Sequence, residues 1–333
     1  MGNKIEKLKS PEIGKAALKF VKNQMILCLL ILFIIVLAII RPSFVSLHNI
    51  KNVLIDASIY GVAALAMTMA IITGAFDLSM SANFAWGQIF FCFLLNNWGD
   101  TPIGILGAFL CAIVSCMLIG MLNGVIIVKT GISAWICTMS MNYIIKGWCL
   151  VFTDSDMIKT ENPFIVAFGK GTFLGISYLT YIFIALAVLV YVIMKFTKYG
   201  RNLYATGGNA VAAKLAGINT DFHRFTTFGI TGLAAGIAGC MYVCLIRAGS
   251  VLYGTDLALT CVAATVVGGT PLSGGRGGVH RTVIGILLIY IMYKGLGFLG
   301  LAGYVNTMVR GIVLLAVVGF DAFMTQSGTK RVK

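Results

Sequence analysis

Ten apolar stretches run through the chain, at 24–40, 52–73, 79–96, 103–128, 132–150, 176–194, 225–246, 257–269, 283–299 and 302–320, each set off from the next by a short polar or charged segment. A helix needs about 20 apolar residues to cross the hydrocarbon layer, and most of these stretches approach that length. Those at 103–128, 176–194 and 225–246 carry no charge. The stretches at 257–269 and 283–299 are short and glycine-interrupted, which suggests broken or half-length helices around a cavity. The pattern predicts an all-α polytopic membrane protein of about ten transmembrane helices, some broken or half-length, with no segment long enough for a separate soluble domain.

Charge fixes the orientation. Only 11% of residues are charged, far below the roughly one quarter of a soluble domain. With ten spans and a cytoplasmic N-terminus, the inner segments hold 17 of the 25 lysines and arginines, as the positive-inside rule requires. Nine or eleven spans would strand the cluster at 195–224 or Lys330, Arg331 and Lys333 outside. Both termini are therefore expected in the cytoplasm, with a basic tail over 1–23, a transmembrane region over 24–324 and a second tail over 325–333. The net charge of +14 does not point to nucleic acid, because the basic residues sit between apolar stretches and form no face with interleaved aromatics. A basic segment before an apolar one also fits a signal peptide, but Ile39-Ile40-Arg41-Pro42 offers no small-residue cleavage site, so a retained first span is expected.

Chemistry-bearing residues are few. The nine cysteines all lie in or beside apolar stretches with no zinc-ligand spacing, and read as small hydrophobes. His48, His223 and His280 stand apart from one another, and no nucleophile or acid–base constellation forms. There is no GxxxxGK[ST], and Gly295-x-Gly-x-x-Gly300 follows no soluble strand, so neither a nucleotide nor another cofactor or metal is expected. Any energy source sits on another chain or in an ion gradient.

The most informative polar segment spans 199–220. Asn209 is a good helix N-cap, Ala210, Val211, Ala212, Ala213, Lys214, Leu215 and Ala216 form a helix-favouring run, and Gly217 can take the left-handed stop. A helix that short needs a partner surface to be stable, which makes docking a better reading than a bare connector. A faint repeat pairs Ala64, Ala70, Gly74 and Ser79 with Ala258, Ala264, Gly268 and Ser273, although chance explains such matches at least as well in an Ala/Gly-rich chain.

GRNLYATGGNAVAAKLAGI at 200–218 resembles the cytoplasmic coupling segment of ribose-type sugar ABC permeases. GAFDLS at 74–79, NGVIIVKTGISAWICTMSM at 123–141 and VVGGTPLSGGRGGV at 266–279 resemble the same family, in its order and spacing. The resemblance covers roughly 45–320 and implies a permease dimer in a bacterial plasma membrane. It further implies separate ATP-binding subunits that dock at Arg201 and Asn209–Gly217, a second permease copy or homologous permease, and an extracytoplasmic protein that delivers a sugar. Members of the family it resembles usually carry an acid where Val211 stands, often acids near Ala258 and Thr260 and a small residue where Arg281 stands, and a glycine where Ser81 stands, which puts the substrate more in question than the fold.

Polar residues inside or beside spans are candidates for a translocation path: Asp77, Ser79, Asn83, Trp86, Asn123, Asn142, Thr270 and Ser273. Capping of the helix over Ala82–Leu95 by Asp77 and Ser79, interfacial aromatics and interhelical hydrogen bonds are the competing readings. Asp56, Lys146, Lys294 and Arg310 either snorkel, pair between helices, or line the path. Gly120-x3-Gly124 and Gly232-x3-Gly236 suit close helix packing. An ATP-driven importer permease for a ribose-like monosaccharide, polyol or nucleoside is the leading reading. An ion-coupled secondary transporter using Asp56, Asp77 and Lys146 is the alternative, and a membrane-embedded enzyme lacks a catalytic cluster.

Overall fold

In a computed structural model the chain is described at residues 31, 34–36, 38–298 and short runs between 304 and 319. The tails at 1–23 and 325–333, Arg310 and most of the stretches at 24–40 and 302–320 lie outside the described residues. Between Pro42 and Phe298 the described residues form one short 3-10 helix (Pro42–Val45), eleven α-helices and two two-stranded ribbons.

Helix α1 (Leu47–Ile72) is the centre of the bundle. Ser46 caps it, its side chain accepting the Asn49 N–H, and every residue from Ala57 to Ile72 except Tyr60 is buried. Around it pack α6 (Tyr178–Phe196), α9 (Thr220–Ile246), α10 (Leu257–Val267) and α11 (Val279–Phe298), while α2 (Met80–Trp98) lies mainly against α9. Helices α3 (Pro102–Thr130) and α4 (Ala134–Phe152) complete that side of the bundle. Thr101 and Pro102 start α3, and Gly131 at φ 71° ends it in the left-handed conformation that glycine tolerates best. Five helices, α1, α3, α6, α9 and α11, are long and apolar enough to cross a membrane. Helices α2 and α4 have 19 residues each but carry more polar groups.

Exposed Leu106, Leu110, Val114, Leu118 and Leu122 form a regular apolar stripe on α3, and Ile184, Val188 and Val192 form another on α6. Stripes of that kind are what a lipid-facing helix presents. Inside, α3 and α9 run antiparallel and very close. A Cβ on Gly120 would stand 2.2 Å from the Phe228 carbonyl oxygen, and one on Gly232 would stand 2.3 Å from that of Cys116. The two GxxxG motifs expected to mediate packing thus pack on each other.

The half-length expectation divides. Helix α10 has only 11 residues, as the short stretch at 257–269 suggested, but α11 is a full 20 residues that begins at Val279. Its Gly285 does not break it; that glycine lets α11 lie against α10, where a Cβ would meet the Ala264 carbonyl oxygen at 2.0 Å. Two further features were not anticipated. The segment 153–177 contains helix α5 (Pro163–Lys170), the hairpin Thr172–Phe173 with Ile176–Ser177, and strand Ile158–Lys159, which pairs with Ala248–Gly249. Residues Lys198–Gly208 form helix α7, capped by Thr197, ahead of α8 (Ala210–Leu215).

Candidate functional site

Two helices begin inside the bundle. Asn83, in the first turn of α2, lies against Gly232 at the middle of the 27-residue α9, so α2 starts near half the depth of the bundle. The chain reaches that point through Gly74–Ser79. Helix α10 also starts there, because the Ala258 N–H donates to the Ser81 hydroxyl at 2.9 Å. Ser81 therefore satisfies one of the orphan donors of a buried helix end.

A polar cluster holds this re-entry. Asp77 is fully buried; its Oδ1 accepts from the Ser79 N–H (2.9 Å) and hydroxyl (2.6 Å), and its Oδ2 lies 2.6 Å from the Thr231 hydroxyl of α9. The Asn123 amide of α3 donates to the Ser79 hydroxyl at 2.9 Å. Capping of α2 by Asp77 and Ser79 is not what the structure shows. Ser79 occupies the N-cap position without a side-chain capping bond, and the Ala82 N–H is instead received by Asn142 Oδ1 of α4 at 3.2 Å. The reason is geometric: Ser79 sits in the right-handed helical region, φ −70° and ψ −13°, rather than in the extended conformation typical of a capping residue. Asn83 donates to the Cys116 carbonyl and Trp86 to the Ser115 hydroxyl, both on α3. Six of the eight candidate path residues are thus gathered around the start of α2 as interhelical hydrogen bonds. Thr270 is buried beside Gly277, and Ser273 is exposed in the same loop at the far end of α10.

A cavity of about 770 Å³ opens between α1, α9 and α11, lined by Asn52, Asp56, Tyr60, Tyr242, Tyr290, Tyr293, Lys294 and Phe298 among others. Its Tyr290, Tyr60 and Tyr242 belong to a continuous aromatic belt that takes in Phe84 and Tyr253 behind the lining: Tyr290 to Tyr60 at 5.0 Å between centroids, Tyr60 to Phe84 at 5.9 Å, Phe84 to Tyr242 at 5.5 Å, and Tyr242 to Tyr253 at 5.5 Å. Lys294 forms an ion pair with Asp56 at its side, so the pairing expected of in-span charges is realised for these two. Faces of rings, phenol hydroxyls and one acid–base pair can hold a small solute bearing both hydroxyls and an apolar face. None of the eight predicted path residues lines this cavity. The tyrosines escaped notice because each sits in an apolar run. The usable signal was spacing, since Asp56 and Tyr60 share one helix face and Tyr290 and Lys294 share another, each four residues apart.

The opposite end carries a handle. Asn209 Oδ1 accepts the Ala212 N–H at 3.0 Å, and Gly217 stops α8 at φ 82°, as the residues imply. Only Ala213 of α8 is buried, while Val211 and Leu215 are 71% and 86% exposed. Arg201 is exposed on α7. Helix α7 is anchored from below: the Tyr204 hydroxyl donates to the Gly277 carbonyl at 3.1 Å, and the Gly275 N–H donates to Ile72 at the end of α1 at 2.9 Å. Burial holds the Tyr204 phenol above its ordinary pKa, with the Arg281 charge pulling it partly back, so it stays a neutral donor. The glycine-rich loop at 268–278 thereby ties the handle to α1 and α10.

A family profile described as "Branched-chain amino acid transport system / permease component" matches residues 49–318. The chain is 33% identical over 294 residues to the ribose import permease RbsC of Bacillus subtilis, covering 88% of this chain and 90% of that one. It is 30% identical over 310 residues to RbsC of Escherichia coli (90% and 93%), and 28% identical over 286 residues to the L-arabinose permease AraH of E. coli (86% of each). No solved structure matches the chain.

Proposed function

This chain belongs to the ribose-type ABC transporter permease family, and from that membership we propose that it conducts a small sugar, or a related polyol or nucleoside, across a bacterial plasma membrane under the power of ATP hydrolysed on other subunits. As a permease subunit it is not an enzyme. On this reading ten spans place both termini, α7, α8 and the 268–278 loop in the cytoplasm, and the aromatic cavity faces outward. An extracytoplasmic protein releases substrate into the cavity, whose tyrosine faces and Asp56–Lys294 pair receive it. Docking of an ATP-binding subunit on α8 moves Gly207 and Gly208, and through them the loop and α1. Two permease chains enclose the path and close it by alternating access. The cluster around Asp77 serves as the fixed seat of the two half-bundle helix ends.

The observation that carries this reading is α8. It is six residues long, too short to be stable alone, yet it is capped at both ends and presents Val211 and Leu215 to the outside. A solvated connector has no use for that surface, whereas a docking handle does. The test is a double substitution, Val211→Asp with Leu215→Asp, in proteoliposomes containing the permease, its ATPase and its binding protein. ATP-dependent uptake should fall at least tenfold while the thermal midpoint of the purified permease stays unchanged. Undiminished uptake, or transport by the permease alone without ATP, would overturn the proposal.

A further inference from the structure

Charge is unevenly placed on the bundle. At the end that bears α7 and α8, Asp221 is the one acid among the described residues, and Lys214 already pairs with it at 3.0 Å. Lys195, Lys198, Arg201, Arg276 and Arg281 stand exposed at that end, and among the described residues no acid pairs with them.

Two neighbouring helices gather part of this charge beside a lipid-facing surface. On α6 the exposed stripe Ile184–Val188–Val192 ends, one turn later, on exposed Lys195 and Phe196. Beside it α11 begins with exposed His280 and Arg281 and continues, one turn on, with exposed Ile284. The two helix ends meet at Tyr191. Lys195 Nζ donates to the Tyr191 hydroxyl at 2.7 Å, and the His280 ring stands nearly perpendicular to the Tyr191 ring with centroids 6.5 Å apart. Arg281 Nη1 donates to the Gly269 carbonyl at 3.3 Å, which holds the guanidinium at the root of the glycine-rich loop.

Both the ammonium and the guanidinium keep N–H donors beyond these bonds. Two like charges at neighbouring helix ends repel, and an anion between them removes that repulsion. Where an apolar stripe gives way to basic side chains, the hydrocarbon ends and the phosphate level of the bilayer begins. The cytoplasmic leaflet supplies anionic headgroups at that level.

We propose that the notch between these ends of α6 and α11 seats an anionic phospholipid. Its phosphate lies on Lys195, His280 and Arg281, and its acyl chains lie along Val188, Val192 and Ile284. The seat is separate from the aromatic cavity and depends on the bundle spanning a membrane with this end inward, not on which solute is carried. A free phosphate could use the same three polar groups but not the apolar face.

The test is native mass spectrometry and thermal melting of the purified full chain in a neutral detergent. Phosphatidylglycerol, phosphatidylcholine with the same acyl chains, or glycerol phosphate is added. Phosphatidylglycerol should be retained and should raise the melting midpoint by several degrees, while the other two do neither. Lys195→Gln with Arg281→Gln should melt like the parent without lipid and bind phosphatidylglycerol about tenfold more weakly. Lys195→Arg with Arg281→Lys keeps both charges and should retain binding. Lys159→Gln with Lys170→Gln removes the same charge from exposed positions at the other end and should retain it too. Equal retention of both lipids by the parent, unchanged binding in the double Gln variant at 195 and 281, or equal loss in the far-end control would each overturn the seat. A shift produced by glycerol phosphate alone would overturn it as well, by assigning these groups to a free anion.

Discussion

The packing of α3 on α9 allows a stability prediction worked from distances. An alanine at 120 places its Cβ 2.2 Å from the Phe228 carbonyl oxygen and 3.1 Å from the Gly232 Cα, where ordinary contact begins at 3.4 Å. Both neighbours are backbone, so no side chain can swing away and the helices must part by roughly 1 Å. Parting them loosens the contacts of Gly87, Gly124 and Gly236 along the same line. In lipid this loss of van der Waals packing is not offset by hydrophobic burial, and overpacking of this sort costs about 1–3 kcal/mol. For a chain of this size each kcal/mol lowers the melting midpoint by about 2 °C. Gly120→Ala should therefore melt several degrees lower in detergent, measured by tryptophan fluorescence. Gly147→Ala on α4, where no atom lies within 4 Å of the new methyl, should match or slightly exceed the parent. Gly232→Ala, 2.3 Å from the Cys116 carbonyl oxygen, strains the same seam, so the double variant should lose less than the sum of the two. If Gly120→Ala and Gly147→Ala melt alike, the close approach of α3 and α9 is refuted.

Two further outcomes test the polar groups. Asp77→Ala leaves Ser79 without its acceptor in a fully buried site and should destabilise by about 3 kcal/mol. Asp77→Asn keeps an oxygen for both Ser79 donors and should recover most of that loss; equal melting of the two variants would contradict the network. For the ion pair, a double-mutant cycle of Asp56→Asn and Lys294→Met should give a coupling of about 1 kcal/mol, modest because both side chains are partly exposed. Additive single effects in thermal melts would show that the pair is not formed.

The legible parts of this fold were those dictated by local chemistry. Apolar length marked α1, α3, α6 and α9, and Asn209 with Gly217 marked α8 to within a residue. The GxxxG pairs announced close packing, though not that they would meet each other. Three-dimensional assembly was not legible. Asp77 and Thr231 are 154 residues apart, and nothing near Asp77 distinguishes a capping acid from one bonded to a distant helix. The cavity was hidden for a related reason: its four tyrosines come from three helices, and each reads alone as an ordinary apolar-span aromatic.

The faint repeat shows how sequence and backbone can differ by a single residue. Aligned letters pair Gly74 with Gly268, but the hydrogen bonds pair Gly74 with Gly269. At the end of α1 the N–H of Gly74 bonds Ile71 and that of Ala75 bonds Ala70; at the end of α10 the N–H of Gly269 bonds Val266 and that of Thr270 bonds Thr265. Both glycines are left-handed, at φ 79° and 92°. The same C-terminal turn therefore ends two helices that lie side by side, with Thr68 and Thr265 in hydroxyl contact at 3.3 Å. The paths then diverge: after Gly74 the chain re-enters the bundle to start α2, while after Gly269 it runs out over α7 before α11. One turn thus feeds the buried helix start held by Asp77, and the other feeds the loop that grips the handle. Gly207 of α7 lies against both the end of α1 and this loop: an added Cβ there would strike the Ile72 carbonyl oxygen at 1.7 Å and the Gly275 N–H nitrogen at 2.8 Å, so no side chain fits between α7 and the turn.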